Sequence, residues 1–250
     1  MTQATATARP EPAPAPPGER ATRSAVVTGA SSGIGLAIAH DLVGAGWHVL
    51  GLSRTRGALP GAATWVPCDL ADVISADEAV RAVREAAAGG VDAIVHAAGL
   101  QYSAGVGALR PDDGARMWAV HVRGAELLVG GLVDVLADGG RVVLVGSRTM
   151  TGVPGKSQYA ATKAALAAMA RAWAAELAPR SITVNVVAPG PTRTPMLEDP
   201  NRASVPPVVP PLGRLVEPSE VAGLARFLLE PSGAMVTGQA IVMCGGASLS

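Results

Sequence analysis

Cysteine is almost missing from this 250-residue chain, which holds Cys68 and Cys244 and no others. Two thiols make neither a disulfide framework nor a cysteine-built metal cluster, so no metal is expected and a reducing, cytoplasmic setting is. Excess charge of either sign is missing as well, since 20 basic residues face 20 acidic ones. That balance argues against nucleic acid or an anionic membrane as a partner. No uncharged apolar run approaches the roughly 18 residues that would cross a bilayer. Aromatic residues are only 3% of the chain, so its two tyrosines, Tyr102 and Tyr159, are weighed one at a time.

What is present is an apolar, alternating pattern. Residues 1–23, rich in Ala, Pro and Thr, stand apart. They lack the apolar stretch of a secretory signal and are expected to form a disordered tail. From Ser24 onward, short apolar runs alternate with helical patterns. Strands are expected at SAVVTG, WHVLGLSR, ATWVPCDL, VDAIVHAAG, RVVLVGS, SITVNVVAPG and QAIVMCGG. Between them fall helical segments. One begins near Ser75 or Asp77 as its N-cap, one runs continuously over 115–140, and a long Ala-rich one starts at Ser157. Continuous apolar strands are buried on both faces. Residues 24–250 are therefore predicted to be one α/β domain built on a doubly wound parallel sheet. Ligands of such sheets bind at the carboxyl ends of the strands. The proline-rich stretch 195–213, after the sixth strand, is expected to be a substrate loop.

The first strand runs into TGASSGIG, which supplies Gly29, Ser31, Ser32, Gly33, Ile34 and Gly35. Glycines allow a tight turn and close backbone approach to a ligand. The helix that starts there turns its free N–H groups and positive dipole end toward the turn, which suits a pyrophosphate.

That turn, YAATK and NVVAPG, in this order over residues 24–247, together resemble the short-chain dehydrogenase/reductase family. The resemblance implies a Rossmann fold, a nicotinamide cofactor and hydride transfer at a carbonyl or alcohol carbon. It implies that Asp69 and Leu70 lie on the adenine side, and that Ala98 and Gly99 of HAAG let the backbone pass close beneath the cofactor. Pro189, Gly190, Thr192 and Thr194 match positions that contact carboxamide and phosphates, Thr194 more faithfully than Thr192. His96 and Ala97 stand where many members carry asparagines, and His96 is expected to be a packed or capped side chain. Members that use NAD tend to carry an acid at the end of the second strand, on the ribose hydroxyls. Ser53 and Arg54 stand there instead. A guanidinium matches a phosphate with paired donors, so NADP(H) is favoured over NAD(H), with Arg54 on the 2′-phosphate.

Reducing a ketone takes a hydride on carbon and a proton on oxygen. An ordinary tyrosine, with a pKa of about 10, exchanges its proton poorly near neutrality. Tyr159 and Lys163, four residues apart, share a helix face. The ammonium is expected to lower the phenol, and the resemblance adds a cofactor ribose as a second partner for it. Ser147 is expected to bind the substrate oxygen, in preference to Gly146, with Ser157 a further candidate. His121 stands where the family carries an asparagine thought to hold a relay water. An imidazole there serves either in the relay or in the architecture.

The expected function is NADP(H)-dependent reduction of a ketone, or oxidation of the matching secondary alcohol. The alternatives are an NAD-dependent alcohol or dihydrodiol dehydrogenase, and a non-catalytic cofactor-binding regulator on the same fold. Arg148, Met150, Val153 and Gln158 are expected around the small-molecule substrate, whose body is apolar, with Tyr102 at the rim. A homo-oligomer, tetramer or dimer, is expected through the long helices.

Overall fold

Seven strands form one fully parallel sheet in the order β3-β2-β1-β4-β5-β6-β7. They are β1 (Ser24–Thr28), β2 (His48–Ser53), β3 (Thr64–Pro67), β4 (Val91–His96), β5 (Leu136–Val145), β6 (Thr183–Pro189) and β7 (Ala240–Met243). The computed structural model describes residues 22–249 apart from Ala88. Residues 1–21 of the expected tail lie outside the described residues. Arg23, read as part of that tail, belongs to the folded body. It lies 4.1 Å over the Trp47 ring and forks onto both carboxylate oxygens of Glu230.

Helices cover both faces, as the continuous apolar strands require. Helices α1 (Gly33–Gly44) and α6 (Pro218–Leu229) pack on one face, where Ile38, Leu42, Val221 and Leu228 meet Val27, Val49 and Val95. Helices α2 (Val73–Ala86), α4 (Gly124–Leu132) and α5 (Ser157–Leu177) pack on the other, where Val83, Leu128 and Leu166 meet Val26, Ile94 and Leu144. The strand order reverses between β1 and β4, which opens a crevice at their carboxyl ends.

Three sequence expectations need correction. The N-cap of α2 is Asp72, whose side chain accepts from the Ile74 N–H, while Ser75 Oγ accepts from the Asp69 N–H. The continuous helix over 115–140 is three pieces: α3 (Pro111–Trp118), a wide π turn over Ala119–Arg123, and α4. His121 and Val122 are the buried residues of the π turn. Residues 136–140 start β5, because Leu136 pairs with Val91 and the chain bulges through Gly139 at φ +75° before regaining register.

Candidate active site

One cavity of about 510 Å³ runs along the carboxyl ends of the strands. The glycine turn forms one wall, with Gly29, Ser31, Ser32, Gly33, Ile34 and Gly35 all lining it. Two of these positions tolerate only glycine. Gly29 has φ +67°, and a Cβ on it would lie 2.8 Å from Ala98 Cα; a Cβ on Gly35 would overlap the Gly29 carbonyl. The α1 N-cap, Ser32, makes no side-chain bond to the first turn, so the N–H groups there remain free for a ligand. Ser53, Arg54, Asp69, Leu70, Ala98, Gly99, Pro189, Gly190, Thr192 and Thr194 line the same cavity. The end of β2 offers no carboxylate, and Arg54 stands exposed beside it. Asp69, at the end of β3, caps the Ala71 N–H. A glycine cradle and an uncapped helix start fit the pyrophosphate of a dinucleotide.

Ser147, Tyr159 and Lys163 are buried together at the inner end. Ser147 Oγ accepts from the Thr149 N–H at 3.2 Å and from the Thr149 hydroxyl at 3.0 Å. With its lone pairs taken, its own proton is left to donate, and it acts on the Tyr159 phenol in the direction that favours phenolate. Gly146 lines the wall but offers no side chain, and its N–H donates to Val187 O. Ser157 is exposed and outside the cavity.

Lys163 lies beside Tyr159 as expected, and its ammonium is also engaged by the backbone. Its Nζ lies 5.8 Å from the phenol ring centroid and donates to Val145 O at 2.9 Å. Burial pushes Lys163 down to about 7. Burial also dominates Tyr159 and raises it, opposed by Ser147 and by the guanidinium of Arg202. The phenol is thus held protonated, with two neighbours ready to favour its anion.

His121 lies behind the cavity, with no part in its lining. Its Nε2 accepts from the Leu100 N–H at 3.1 Å, so Nδ1 carries the proton and donates to Thr162 Oγ1 at 2.8 Å. Thr162 in turn donates to Tyr159 O at 2.8 Å, and the imidazole meets the Tyr159 ring edge-on at 5.6 Å. Both ring nitrogens are spent on protein groups, so the side chain has no site for a relay water. His96 is packed and capped. Thr28 Oγ1 accepts from the Ala97 and Ala98 N–H groups and donates to His96 Nδ1, and His96 Nε2 donates to the His121 carbonyl at 3.1 Å. Burial and the Lys163 charge hold both imidazoles neutral, His96 near 3 and His121 well below its ordinary value.

On the substrate side, Arg148, Val153 and Tyr102 line the cavity, and Met150 and Gln158 do not. Met150 is half-buried and packs against the core that lies under α2, α4 and α5. Gln158 is turned outward by the helical register, and its amide donates to Arg110 O at 2.9 Å. The stretch after β6 folds into 3-10 turns at Pro195–Glu198 and Pro200–Arg202 and lines the cavity. It is tied down by Ser103 N–H to Asn201 O and by Ser204 Oγ to Ser103 O. Two cationic wall residues are singled out by no sequence signal: Lys156, and Arg202 within the expected 195–213 substrate loop. No spacing marks them, since one opens a helix and the other lies in a loop. Among the described residues no helix is long and apolar enough to cross a membrane, and no cluster of three metal-ligating side chains occurs.

A doubly wound parallel sheet with a glycine cradle and a buried Ser-Tyr-Lys group at its carboxyl edge defines a class of nucleotide-dependent oxidoreductases. The family model described as enoyl-(acyl carrier protein) reductase matches residues 29–248. The 3-oxoacyl-(acyl-carrier-protein) reductase FabG of Vibrio harveyi is 32% identical over 89% of this chain and 96% of its own. Carbonyl reductase family member 4 of Danio rerio is 34% identical over 91% and 99%. A Burkholderia cenocepacia short-chain dehydrogenase solved with NADP superposes with a TM-score of 0.80 at 31% identity, covering 90% of this chain and 97% of that one. A Brucella melitensis 3-ketoacyl-(acyl-carrier-protein) reductase solved with NADH gives 0.81 at 30%, covering 90% and 98%. The chain belongs to the short-chain dehydrogenase/reductase family and is an oxidoreductase of that family.

Proposed function

We propose that this chain reduces a ketone with NADPH, or oxidises the matching secondary alcohol with NADP+, using Tyr159 as general acid and base. One observation carries the reading. A single cavity joins an uncapped helix start, an arginine at the end of β2 with no carboxylate beside it, and the Ser147–Tyr159–Lys163 group. The glycine turn would hold the pyrophosphate, Arg54 the 2′-phosphate, and Lys163 the nicotinamide ribose, with the Nζ donors that Val145 O leaves over. The bound nicotinamide supplies the hydride.

The chain's own residues supply the proton and the polarisation. Ser147, its acceptor sites filled by Thr149, turns its O–H to the carbonyl oxygen and draws electron density onto it. Burial keeps the Tyr159 phenol protonated, which is the state needed to give a proton to the developing alkoxide. Ser147, Arg202 and Lys163 then stand around the phenolate that remains until it regains a proton from solvent. The ketone gains one hydride on carbon and one proton on oxygen; oxidation runs the same transfers backwards. The similarity to a 3-oxoacyl-(acyl-carrier-protein) reductase and a carbonyl reductase supports a carbonyl as substrate. Solved neighbours with NADP and with NADH leave the choice of cofactor resting on Arg54.

Fluorescence titration with NADPH and with NADH tests the cofactor. NADPH is expected to bind roughly tenfold to a hundredfold tighter, with the difference lost in Arg54→Ala. Equal or tighter NADH binding would sink the Arg54 argument. A carbonyl screen follows, with Tyr159→Phe as the variant that loses turnover while still binding NADPH. Exposed Phe227, Met235 and Val242, around α6 and β7, support self-association, and a monomer by light scattering at micromolar concentration would refute it.

A further inference from the structure

We propose that the substrate is anionic, an oxo acid whose carboxylate is held by Lys156 and Arg202 with Arg148 beside them. The inference deepens the reduction proposed above and rests on it for the position of the reacting carbonyl.

Three cations from three separate segments converge on the wall next to Tyr159. Arg148 lies in the 3-10 turn after β5, Lys156 at the N-cap of α5, and Arg202 in the loop after β6. Lys156 and Arg202 are each only 8% exposed. Among the described residues Lys156 has no hydrogen bond or ion pair from its ammonium. Arg202 spends Nη1 on Met196 O at 3.1 Å, and its Nε is buried without a partner. Arg148 donates Nη1 to Ala247 O and has no acid against it. The one carboxylate on this part of the wall, Asp199, uses Oδ1 to cap the Asn201 N–H; its charge acts on Arg202 from a distance, without a direct ion pair. Ion pairs such as Arg84–Asp134 and Arg214–Glu220 lie on the surface instead.

Unpaired buried charge is costly and is found where a ligand completes it. Burial and the two neighbouring guanidinium groups bring Lys156 down to about 8, which an incoming carboxylate would reverse. The uncapped first turn of α5 adds its positive dipole end at the same place. The groups are also held in position. Gly155, at φ +73°, leaves room for Val205, and the Ala104 N–H bonds Gly155 O, so the Arg202 loop is pressed against the residue preceding Lys156. Arg202 acts on Tyr159 as well, so the site places the anion next to the proton donor.

The test compares a set of oxo acids with their methyl esters and amides, all with NADPH. In parallel, a saturated dicarboxylate without a ketone is titrated calorimetrically into the NADPH complex. The acids are expected to exceed their neutral partners in kcat/KM by roughly tenfold to a hundredfold, mostly through KM. Lys156→Gln and Arg202→Gln should each shrink that ratio toward one, and the dicarboxylate should bind wild type and not the Gln variants. Esters reduced as well as acids would overturn the anionic site and leave the reductase reading standing. No turnover of any carbonyl, with the dicarboxylate still bound through Lys156, would keep the anion site and sink the reduction. The absence of both an acid preference and dicarboxylate binding would overturn the proposal. The wild-type comparison alone decides if a variant fails to fold.

Discussion

Nδ1 of His121 donates to the Thr162 hydroxyl at 2.8 Å, and that contact fixes the ring as one neutral tautomer. The imidazole is a brace between the Leu100 backbone and the helix that carries Tyr159. His121→Leu removes both bonds and is expected to lower kcat by roughly tenfold or more through misplacement of the phenol. His121→Asn keeps an acceptor and a donor and should restore most of it. Rescue by asparagine separates bracing from mere volume. A leucine variant as active as wild type would refute the brace.

The two buried imidazoles also set a pH dependence of stability. Their folded pKa values are depressed, so below about 6.5 the unfolded chain takes up protons that the native state refuses. Stability is therefore fully present above about 6.5 and is lost as pH falls toward the folded values. Between pH 6.5 and 5 each histidine is expected to contribute a slope of about 1 kcal/mol per pH unit. Urea unfolding at pH 7.5, 6 and 5 measures it, and His121→Asn should flatten the slope by about half.

Thr149 saturates the acceptor side of Ser147. Ser147→Ala is expected to cost roughly 10²-fold or more in kcat, as for a lost oxyanion donor. Thr149→Val removes one of the two bonds that aim it and should cost a few-fold to about tenfold. Equal losses for both would mean that Thr149 touches the substrate itself.

Gly35 and Gly44 lie in one helix but predict opposite outcomes. A Cβ on Gly35 meets the Gly29 carbonyl, whereas one on Gly44 meets nothing within 4 Å. Gly35→Ala should destabilise by roughly 1–3 kcal/mol and weaken nucleotide binding. Gly44→Ala should be neutral or stabilise by up to about 1 kcal/mol. Thermal unfolding with and without NADPH reads both.

Most of the fold was legible because its signals are local. Most of the strands are largely apolar runs, and each of the seven overlaps a segment whose pattern predicts a strand. The one continuous helix misread was 115–140. The same apolar spacing suits a helix or a buried strand, and nothing local announces a π turn. The glycine cradle and the Tyr159–Lys163 pair were readable from spacing along one turn. Met150 and Gln158 were misplaced because adjacency in sequence does not say which way a side chain points.

The sequence by itself determined the alternation of strand and helix, the glycine-only turn, and the residue types for proton transfer, since each depends on short-range pattern and sterics. Only the tertiary structure decided that both ring nitrogens of His121 are spent on protein groups, that Tyr159 is buried with Ser147 and Arg202 acting on it, and that Lys156 and Arg202 meet on one wall. Those outcomes depend on desolvation and on partners far apart in the chain, and burial and long-range contact exist only once the chain has folded.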